Sequence, residues 1–214
     1  FFTNEPDATL LDRFRKTFAH VQYLDILVGY FRTSGFHLLY DALEDIDKIR
    51  ILVGLSVNRK AFEIIDTYQT EARQLELDFL THAEAHTVFS DHVADEMTHS
   101  PDSYDVEVGV GKFIEFLKAG KLEIKAHPSQ NIHAKVYIQR HPDDFPDYGR
   151  VVTGSSNFSR NGLEAQYEFN VELKNRADVD YALEKFEELW AEAVDLSEQY
   201  IDTINQRTWL NDQI

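Results

Sequence analysis

The sequence contains no cysteine, which excludes disulfide bonds, thiolate metal ligands and a cysteine nucleophile. No apolar run approaches the roughly 18 residues that a membrane-spanning helix requires. No basic and apolar leader opens the chain, so nothing in it indicates secretion. These absences favour a cytoplasmic protein that does not enter a membrane. Because the sequence starts without methionine and stops at Ile214 without an ending signal, we expect it to be part of a larger protein.

Positive charge is also scarce. The chain has 21 Lys and Arg residues against 38 Asp and Glu residues, which gives a formal net charge of −17. This balance argues against a protein that coats nucleic acid non-specifically, because such binding needs many basic contacts to phosphate. A local positive pocket is still compatible with an acidic body. The acidic residues concentrate in 178–198, whereas 131–176 is close to neutral.

The apolar content is sufficient for one well-packed domain, at 43% of 214 residues. Periodicity predicts helices over 8–21, 36–43, 106–117 and 176–193, and strands over 22–31, 48–53 and 122–126. The strand–helix–strand order over 22–53 predicts a parallel crossover. We therefore predict an α/β fold in which a mixed β-sheet is flanked by helices on both faces. Residues 1–175 form the predicted main domain, and 176–214 form a helical C-terminal extension.

Residues 131–138 alternate polar and apolar side chains, which is typical of a half-buried strand. On the other face of this strand, His133 and Lys135 would lie side by side. Taken alone, they would be two exposed residues on an ordinary sheet face. Strand 122–126 is expected to lie beside this strand. The residues that we expect to face the core are Ile132, Ala134, Val136 and Ile138.

A glycine and three small polar residues follow the short apolar strand 151–153. This loop, Gly154-Ser155-Ser156-Asn157, would bring backbone N–H groups and an amide side chain to one point. Ser156 or Asn157 is placed to cap a short helix through Leu163, and a helix N-terminus is a natural anion site. Simple turn chemistry also favours small polar residues at such positions.

The segment 167–173 alternates again, which predicts another strand. Its apolar residues are expected to face inward, and its polar residues Glu168, Asn170 and Glu172 outward. Together the three segments would offer an imidazole, an ammonium, an amide and a carboxylate. That combination suits phosphate chemistry.

The set His133-Ala134-Lys135, Gly154-Ser155-Ser156-Asn157 and Glu168 resembles the H-x-K … G-S-x-N … E signature of the phospholipase D superfamily. It resembles in particular the nucleases of that superfamily that carry a single motif. Residues 1–5 and 27–36 resemble the amino-terminal phospholipase D-like module found ahead of bacterial helicases. One departure is plain, because Arg140 occupies the position at which the full motif has Asp.

The resemblance implies that residues 1–175 are a metal-independent nuclease domain, with DNA as the expected substrate and without a cofactor. It implies that His133 attacks phosphorus and forms a phosphohistidine, while Glu168 holds the other ring nitrogen. Lys135 and Asn157, together with Ser155 and Ser156, would bind the phosphate.

A single H-x-K motif supplies one histidine, although the leaving oxygen needs a proton from a second one. We therefore expect a homodimer whose active site lies at the twofold interface. In the full-length chain we expect an attached helicase domain.

Three other interpretations stay open. The same pocket would serve a binding module that holds a DNA backbone or end for a helicase without turnover. A phospholipase or phosphatidyl transferase is a second alternative, but amphipathic membrane helices and a second motif are missing. A divalent metal site is the third, although solvated helix surface explains the same residues more simply; the candidate ligands are His82, His86, His92 and His99.

Overall fold

The computed structural model describes residues 1–29, 31–54, 104–127 and 132–197. Within these ranges eight strands form one sheet: β1 (Phe2–Thr3), β2 (Tyr23–Val28), β3 (Lys48–Gly54), β4 (Leu122–His127), β5 (Lys135–Arg140), β6 (Gly149–Gly154), β7 (Phe169–Leu173) and β8 (Val194–Asp195). Their order in the sheet is β1–β7–β6–β5–β2–β3–β4–β8. The strands β2, β3 and β4 are parallel to one another, and the remaining neighbours pair antiparallel.

The central position of β2 follows from its apolar residues. Leu24 and Ile26 are fully buried on one face, and Leu27 is buried on the other. A strand that is apolar on both faces is stable only where helices cover both sides of the sheet. The parallel pairing of β2 with β3 confirms the predicted crossover.

The predicted neighbour of β5 was wrong. β4 pairs with β3 and β8, whereas β5 pairs with β2 and β6. Because β2 takes β5 along its second edge, β2 and β3 separate β5 from β4. Short sequence separation between two strands did not make them neighbours here.

Helices cover both faces of the sheet, as predicted. On one face lie α1 (Leu10–Thr17), the 3₁₀ turn Phe18–His20, α2 (Thr33–His37), α3 (Tyr40–Leu43) and α4 (Tyr104–Lys118). Thr9 starts α1 through a capping box with Asp12, in which each side chain accepts a backbone N–H of the other residue. The core on this face includes stacked or edge-packed rings of Phe14, Phe36 and Phe113.

One histidine, His37 of α2, is half-buried on this face. The ring of His37 packs against the position of Gly109 on α4. Its Nε2 has no hydrogen-bond partner among the described residues. Burial disfavours the charged imidazolium and lowers the pKa of His37 from 6.5 to about 4.

Helix α5 (Arg176–Glu192) covers the opposite face. Phe186 and Trp190 are buried there, with ring centroids 5.4 Å apart, and Val179 is fully buried. The chain then adds β8 to the sheet beside β4. The division into a main domain of 1–175 and a helical extension of 176–214 stays a prediction, and 198–214 lie outside the described residues.

Arg140, which stands where the family motif has Asp, is the last residue of β5, and Lys135 is the first. Its guanidinium donates to Asp25 Oδ2 at 3.0 Å, and Arg50 Nε donates to Asp25 Oδ1 at 2.6 Å. Arg50 also pairs with Glu187 of α5 at 2.6 Å. The Asp25 side chain is 1% exposed, so this carboxylate is neutralised by two guanidinium groups in the sheet. The position at which the family motif has Asp is therefore part of a structural ion cluster in this protein.

Among the described helices, none is both long enough and apolar enough to cross a bilayer.

Candidate functional site

The candidate residues meet at one end of the sheet. In the strand register, Lys135 at the start of β5 lies between Val28 at the end of β2 and the end of β6. Gly154, the last residue of β6, is the partner of Asn170 on β7. His133, Ser155 and Glu168 each lie just beyond this row, where the chain leaves or enters a strand. Side chains from three strands are therefore grouped by register rather than by sequence proximity.

His133 lies just before β5 and is exposed. The Nζ atom of Lys135 is 3.5 Å from His133 Nδ1 and donates to the His133 carbonyl at 2.8 Å. Gly29 allows this arrangement, because a Cβ at Gly29 would lie 2.7 Å from the Ile132 carbonyl and 3.3 Å from His133 Cα. The N–H of Gly29 donates to the Ala134 carbonyl at 3.0 Å. The histidine backbone is thus held tightly across the end of β2.

The prediction of a half-buried strand at 131–138 was only partly right. Ile132 and Ile138 do share a core, but it is the smaller core beneath α5. The other face is covered as well, since Tyr137 is fully buried against Phe14. Both faces are covered because β5 is an interior strand with α1 and α5 on its two sides. Within 132–140, His133 is exposed, whereas the other residues are buried or half-buried.

Tyr137 connects the buried strand to the polar loop. Its hydroxyl donates to the Ser156 carbonyl at 2.8 Å. Burial raises the pKa of Tyr137 well above its ordinary value, and the negative charge of Glu168 adds to this effect. Tyr137 therefore stays protonated and keeps its donor toward the loop.

Ser155 and Glu168 form a hydrogen-bonded pair. The Ser155 hydroxyl donates to Glu168 Oε2 and accepts the N–H of Phe169 at 3.0 Å. Glu168 is 9% exposed, and among the described residues no hydrogen bond joins it to His133. Ser155 thus holds the carboxylate at the end of β7.

The prediction that Ser156 binds the phosphate was wrong. Its side chain is fully buried, and its hydroxyl accepts the amide of Asn170 at 2.9 Å. A hydroxyl in that position contacts the protein interior and not a ligand. Ser156 therefore supports the loop, while Ser155 and Asn157 remain at the surface of the site.

The predicted orientation of 167–173 was wrong. Phe169 is 55% exposed, whereas Asn170 and Glu168 are buried. Glu172 is also turned inward, where it pairs with Arg13 Nε at 2.6 Å and Arg150 at 3.0 Å. Burial by itself would raise the pKa of Glu172, but Arg13 and the nearby positive charges outweigh it and lower that pKa. The polar side chains face inward because each finds a charged or hydrogen-bonding partner there.

Asn157 lines a polar cleft of about 220 Å³ next to Glu168. The cleft wall continues into a π-helical turn, Asn161–Ala165. This turn starts later than the predicted helix, and neither Ser156 nor Asn157 caps it; Ser159 Oγ accepts the Gly162 N–H at 3.2 Å. The residues that line the cleft are Arg32, Asn157, Ser159, Asn161, Gly162, Gln166 and Glu168.

The sequence did not predict several of the cleft residues as site residues, and Arg32 is the most important of these. Arg32 was visible as a basic residue before a turn, but nothing local indicates which distant loop it meets. The structure ties it to the Asn157 loop, because Arg32 N–H donates to the Phe158 carbonyl at 3.0 Å.

No group of three or more His, Asp or Glu side chains in the described ranges is arranged to hold a metal ion. The four histidines considered as metal ligands lie outside those ranges.

The fold and this strand-end site define a mixed-sheet α/β domain with a His–Lys pair beside a polar loop. The family model described as cardiolipin synthase, PLD-like domain, matches residues 16–190. Because the match spans most of the chain, the protein belongs to the PLD-like domain family, which confirms the resemblance to the phospholipase D superfamily. Members of that superfamily are phosphodiester-cleaving enzymes.

Several solved structures are similar to this chain at low sequence identity. Nuc, a phospholipase D family member from Salmonella typhimurium, is 14% identical, with 86% of this chain and 88% of that chain covered and a TM-score of 0.48. NucT from Helicobacter pylori is 14% identical, with 87% and 90% covered and a TM-score of 0.44. The phosphatidylserine synthase of Haemophilus influenzae Rd KW20 is 14% identical, with 88% and 37% covered and a TM-score of 0.48. No curated protein matches the chain.

Proposed function

We propose that the chain is a metal-independent phosphodiester hydrolase that cleaves DNA through a phosphohistidine. One observation carries this proposal: the exposed imidazole of His133 lies with Nδ1 3.5 Å from the Lys135 ammonium, at the end of the sheet where Asn157 and Glu168 also lie. A nucleophile beside a fixed positive charge suits attack on a phosphodiester.

The reaction proceeds in two displacements. The unprotonated ring nitrogen of His133 attacks phosphorus, forming an N–P bond as the bond to the leaving oxygen breaks and that oxygen takes a proton from an acid. Water then attacks the phosphohistidine, giving its proton to a base and restoring the imidazole. Lys135 and the Asn157 amide stabilise negative charge on the non-bridging oxygens. Glu168, held by Ser155, stabilises His133 as it becomes positive.

The proton for the leaving oxygen calls for a second histidine, and the sequence holds one H-x-K motif. We propose a twofold dimer in which His133 of each chain serves one phosphate, as nucleophile or as acid. Its interface should exceed roughly 1,000 Å² and should exclude most of the acidic 178–198 segment, since like charges repel across an axis.

Mixing chains tests this assembly. Heterodimers of wild-type and His133→Ala chains should lose turnover almost completely, because each site needs both histidines. A protein that sediments as a monomer at high concentration and still cleaves DNA would contradict the dimer.

The sequence resemblance alone supports the wider context. We propose that the chain is the N-terminal module of a larger, cytoplasmic helicase-type protein. Co-purification of nuclease and ATPase activities in the full-length protein would test this connection.

A second function has one observation in its favour. Glu168 bonds to Ser155, and among the described residues no hydrogen bond joins it to His133, so this carboxylate does not hold the tautomer of the ring. The same pocket would then bind a DNA backbone or end for an attached motor, without turnover.

DNA cleavage in the presence of EDTA separates the two functions. The hydrolase predicts activity that survives EDTA and disappears in His133→Ala. Lys135→Ala and Asn157→Ala should each lower the rate by about two to three orders of magnitude, the scale of one lost transition-state donor. Lys174→Ala is the matched control, because Lys174 is 61% exposed and follows the far end of β7. Binding without any cleavage would favour the second function.

A further inference from the structure

The cleft beside Glu168 has an almost wholly polar lining. Apart from Gly162, each lining residue carries a hydroxyl, amide, carboxylate or guanidinium group. Such a surface cannot replace water favourably around an acyl chain, whereas it can hydrogen-bond to a sugar or a phosphate. Its volume of about 220 Å³ is below the roughly 300–1,000 Å³ of pockets that enclose whole small molecules. The cleft therefore suits one polar unit of a longer substrate.

One wall of the cleft is fixed from behind by Asn4. The Asn4 side chain is buried, and its Nδ2 donates to the carbonyls of Gly162 at 2.9 Å and Gln166 at 3.2 Å. Its Oδ1 accepts the Leu10 N–H at 2.8 Å. The wall itself is the π-helical turn, closed by the Gln166 N–H on the Asn161 carbonyl at 2.8 Å. Turns of this kind are rare and concentrate at functional sites.

The opposite wall carries Arg32. Its backbone is joined to the loop of Asn157 through Phe158, and Ser34 Oγ accepts the Arg160 N–H at 3.4 Å. The close approach leaves no space for a side chain at Gly35, where a Cβ would lie 2.9 Å from the Phe158 carbonyl carbon. Arg32 therefore lines the cleft from a loop whose backbone is fixed to the candidate site.

Two opposite charges line the cleft, Arg32 and Glu168. An anionic group would bind near Arg32 and away from Glu168, because the carboxylate repels it. Glu168 belongs to the proposed catalytic residues, so a substrate unit in the cleft is connected to the phosphate that is cleaved.

We propose that this cleft is a subsite for the sugar–phosphate next to the scissile phosphate, and that Arg32 binds the flanking phosphate. This inference rests on the proposed phosphodiesterase function and assigns the polar cleft to a neighbouring sugar–phosphate unit of the polynucleotide and not to an acyl chain. Arg32 is then a substrate-binding residue outside the H-x-K motif.

Two substrates distinguish the subsite from the catalytic centre. Bis(p-nitrophenyl) phosphate has a single phosphate, whereas a short oligothymidylate also has flanking ones. Arg32→Gln should lower kcat/KM for the oligonucleotide by about 10- to 100-fold, the scale of one charge-assisted hydrogen bond. Its effect on bis(p-nitrophenyl) phosphate should be at least tenfold smaller. The plot of log K against log salt for oligonucleotide binding should become less steep, with the magnitude of its negative slope smaller by about one.

Arg176→Gln serves as the matched control, because Arg176 is 72% exposed at the start of α5. It should behave as wild type with both substrates. Equal losses with both substrates for Arg32→Gln, or no loss with either, would overturn the subsite. Cleavage of phosphatidylglycerol vesicles with the same dependence on Arg32, and none of the oligonucleotide, would overturn the polynucleotide assignment.

Failure of the proposed hydrolysis is recognised separately. If wild type and His133→Ala cleave neither substrate, the hydrolase is wrong, but oligonucleotide binding by the two proteins still tests the subsite. Adding Arg32→Gln to His133→Ala should weaken that binding by about tenfold or more, as expected for one phosphate contact. Unchanged binding would overturn the subsite.

Discussion

Restoring the family's acidic residue, by Arg140→Asp, should destabilise the protein without improving the site. Asp25 is 1% exposed and accepts two guanidinium hydrogen bonds, from Arg50 at 2.6 Å and from Arg140 at 3.0 Å. The substitution removes one of these cations and places a second carboxylate beside Asp25. Arg140→Gln removes the cation alone and is the matched comparison.

The magnitude follows from these contacts. A hydrogen bond to a charged group contributes about 1.5–3 kcal/mol, so Arg140→Gln should lower the free energy of unfolding by that amount. Removing one partner of a buried ion pair costs about 3–5 kcal/mol. Because Arg50 remains and Arg140 is 23% exposed, we expect Arg140→Asp near the lower end, at about 3–4 kcal/mol.

Activity should not follow stability in this case. Arg140 is five residues from Lys135 along β5, or about 17 Å at the rise of a strand. Urea denaturation followed by circular dichroism measures the stability, and kcat/KM for bis(p-nitrophenyl) phosphate, per folded molecule, measures the site. Arg140→Asp with wild-type stability, or with kcat/KM changed more than about tenfold per folded molecule, would refute this account of the motif position.

Three further predictions concern the loop and the core. Ser155→Ala should lower kcat by about tenfold or more with little loss of stability, because Glu168 loses the hydroxyl that holds it; an unchanged kcat would contradict this. Ser156→Ala should do the opposite and lower the free energy of unfolding by about 1–3 kcal/mol, because the buried Asn170 amide loses its acceptor; a kinetic defect without destabilisation would contradict it. His37 titrates at about 4 when folded and 6.5 when unfolded, so the unfolded chain binds the proton first as pH falls. The free energy of unfolding should therefore drop by about 2 kcal/mol between about pH 7.5 and about pH 5, and this part of the drop should be missing in His37→Gln when urea midpoints are compared.

The strand-end site shows where local patterns are sufficient. His133 and Lys135 are two residues apart, so a strand start places them together in almost any sheet, and their side chains do lie within 3.5 Å. The loop of small polar residues after β6 was likewise readable, because an apolar strand that ends in glycine predicts a turn. The prediction that the His–Lys pair and this loop lie at one site came from the family resemblance, because sequence separation does not give strand order.

Ser155 and Ser156 show where local patterns fail. The two residues have the same chemistry and adjacent positions, yet Ser155 is exposed and holds Glu168, while Ser156 is fully buried against Asn170. The difference arises from β7, whose approach to Gly154 is so close that a Cβ there would clash with the Phe169 carbonyl. That approach depends on the packing of the whole sheet.

The alternation in 167–173 predicted a strand correctly and its buried face incorrectly. Alternation defines two faces, but the choice between them depends on what covers each face. Here Arg13 of α1 and Arg150 of β6 offer partners to Glu172, so the polar face is buried and Phe169 is exposed.

The sequence alone determined the element types, the mixed α/β class and the His–Lys pair, because these depend on periodicity and on residues close in the chain. Only the tertiary structure decided the remaining features: the strand order, the buried face of β7, the ion partner of Arg140 and the cleft that Arg32 lines. Arg32 and Asn157 are 125 positions apart, and they line one cleft because strand register and a backbone bond to Phe158 bring their loops together. Contacts between distant segments depend on how all the helices and strands share one core, and no local pattern records that arrangement.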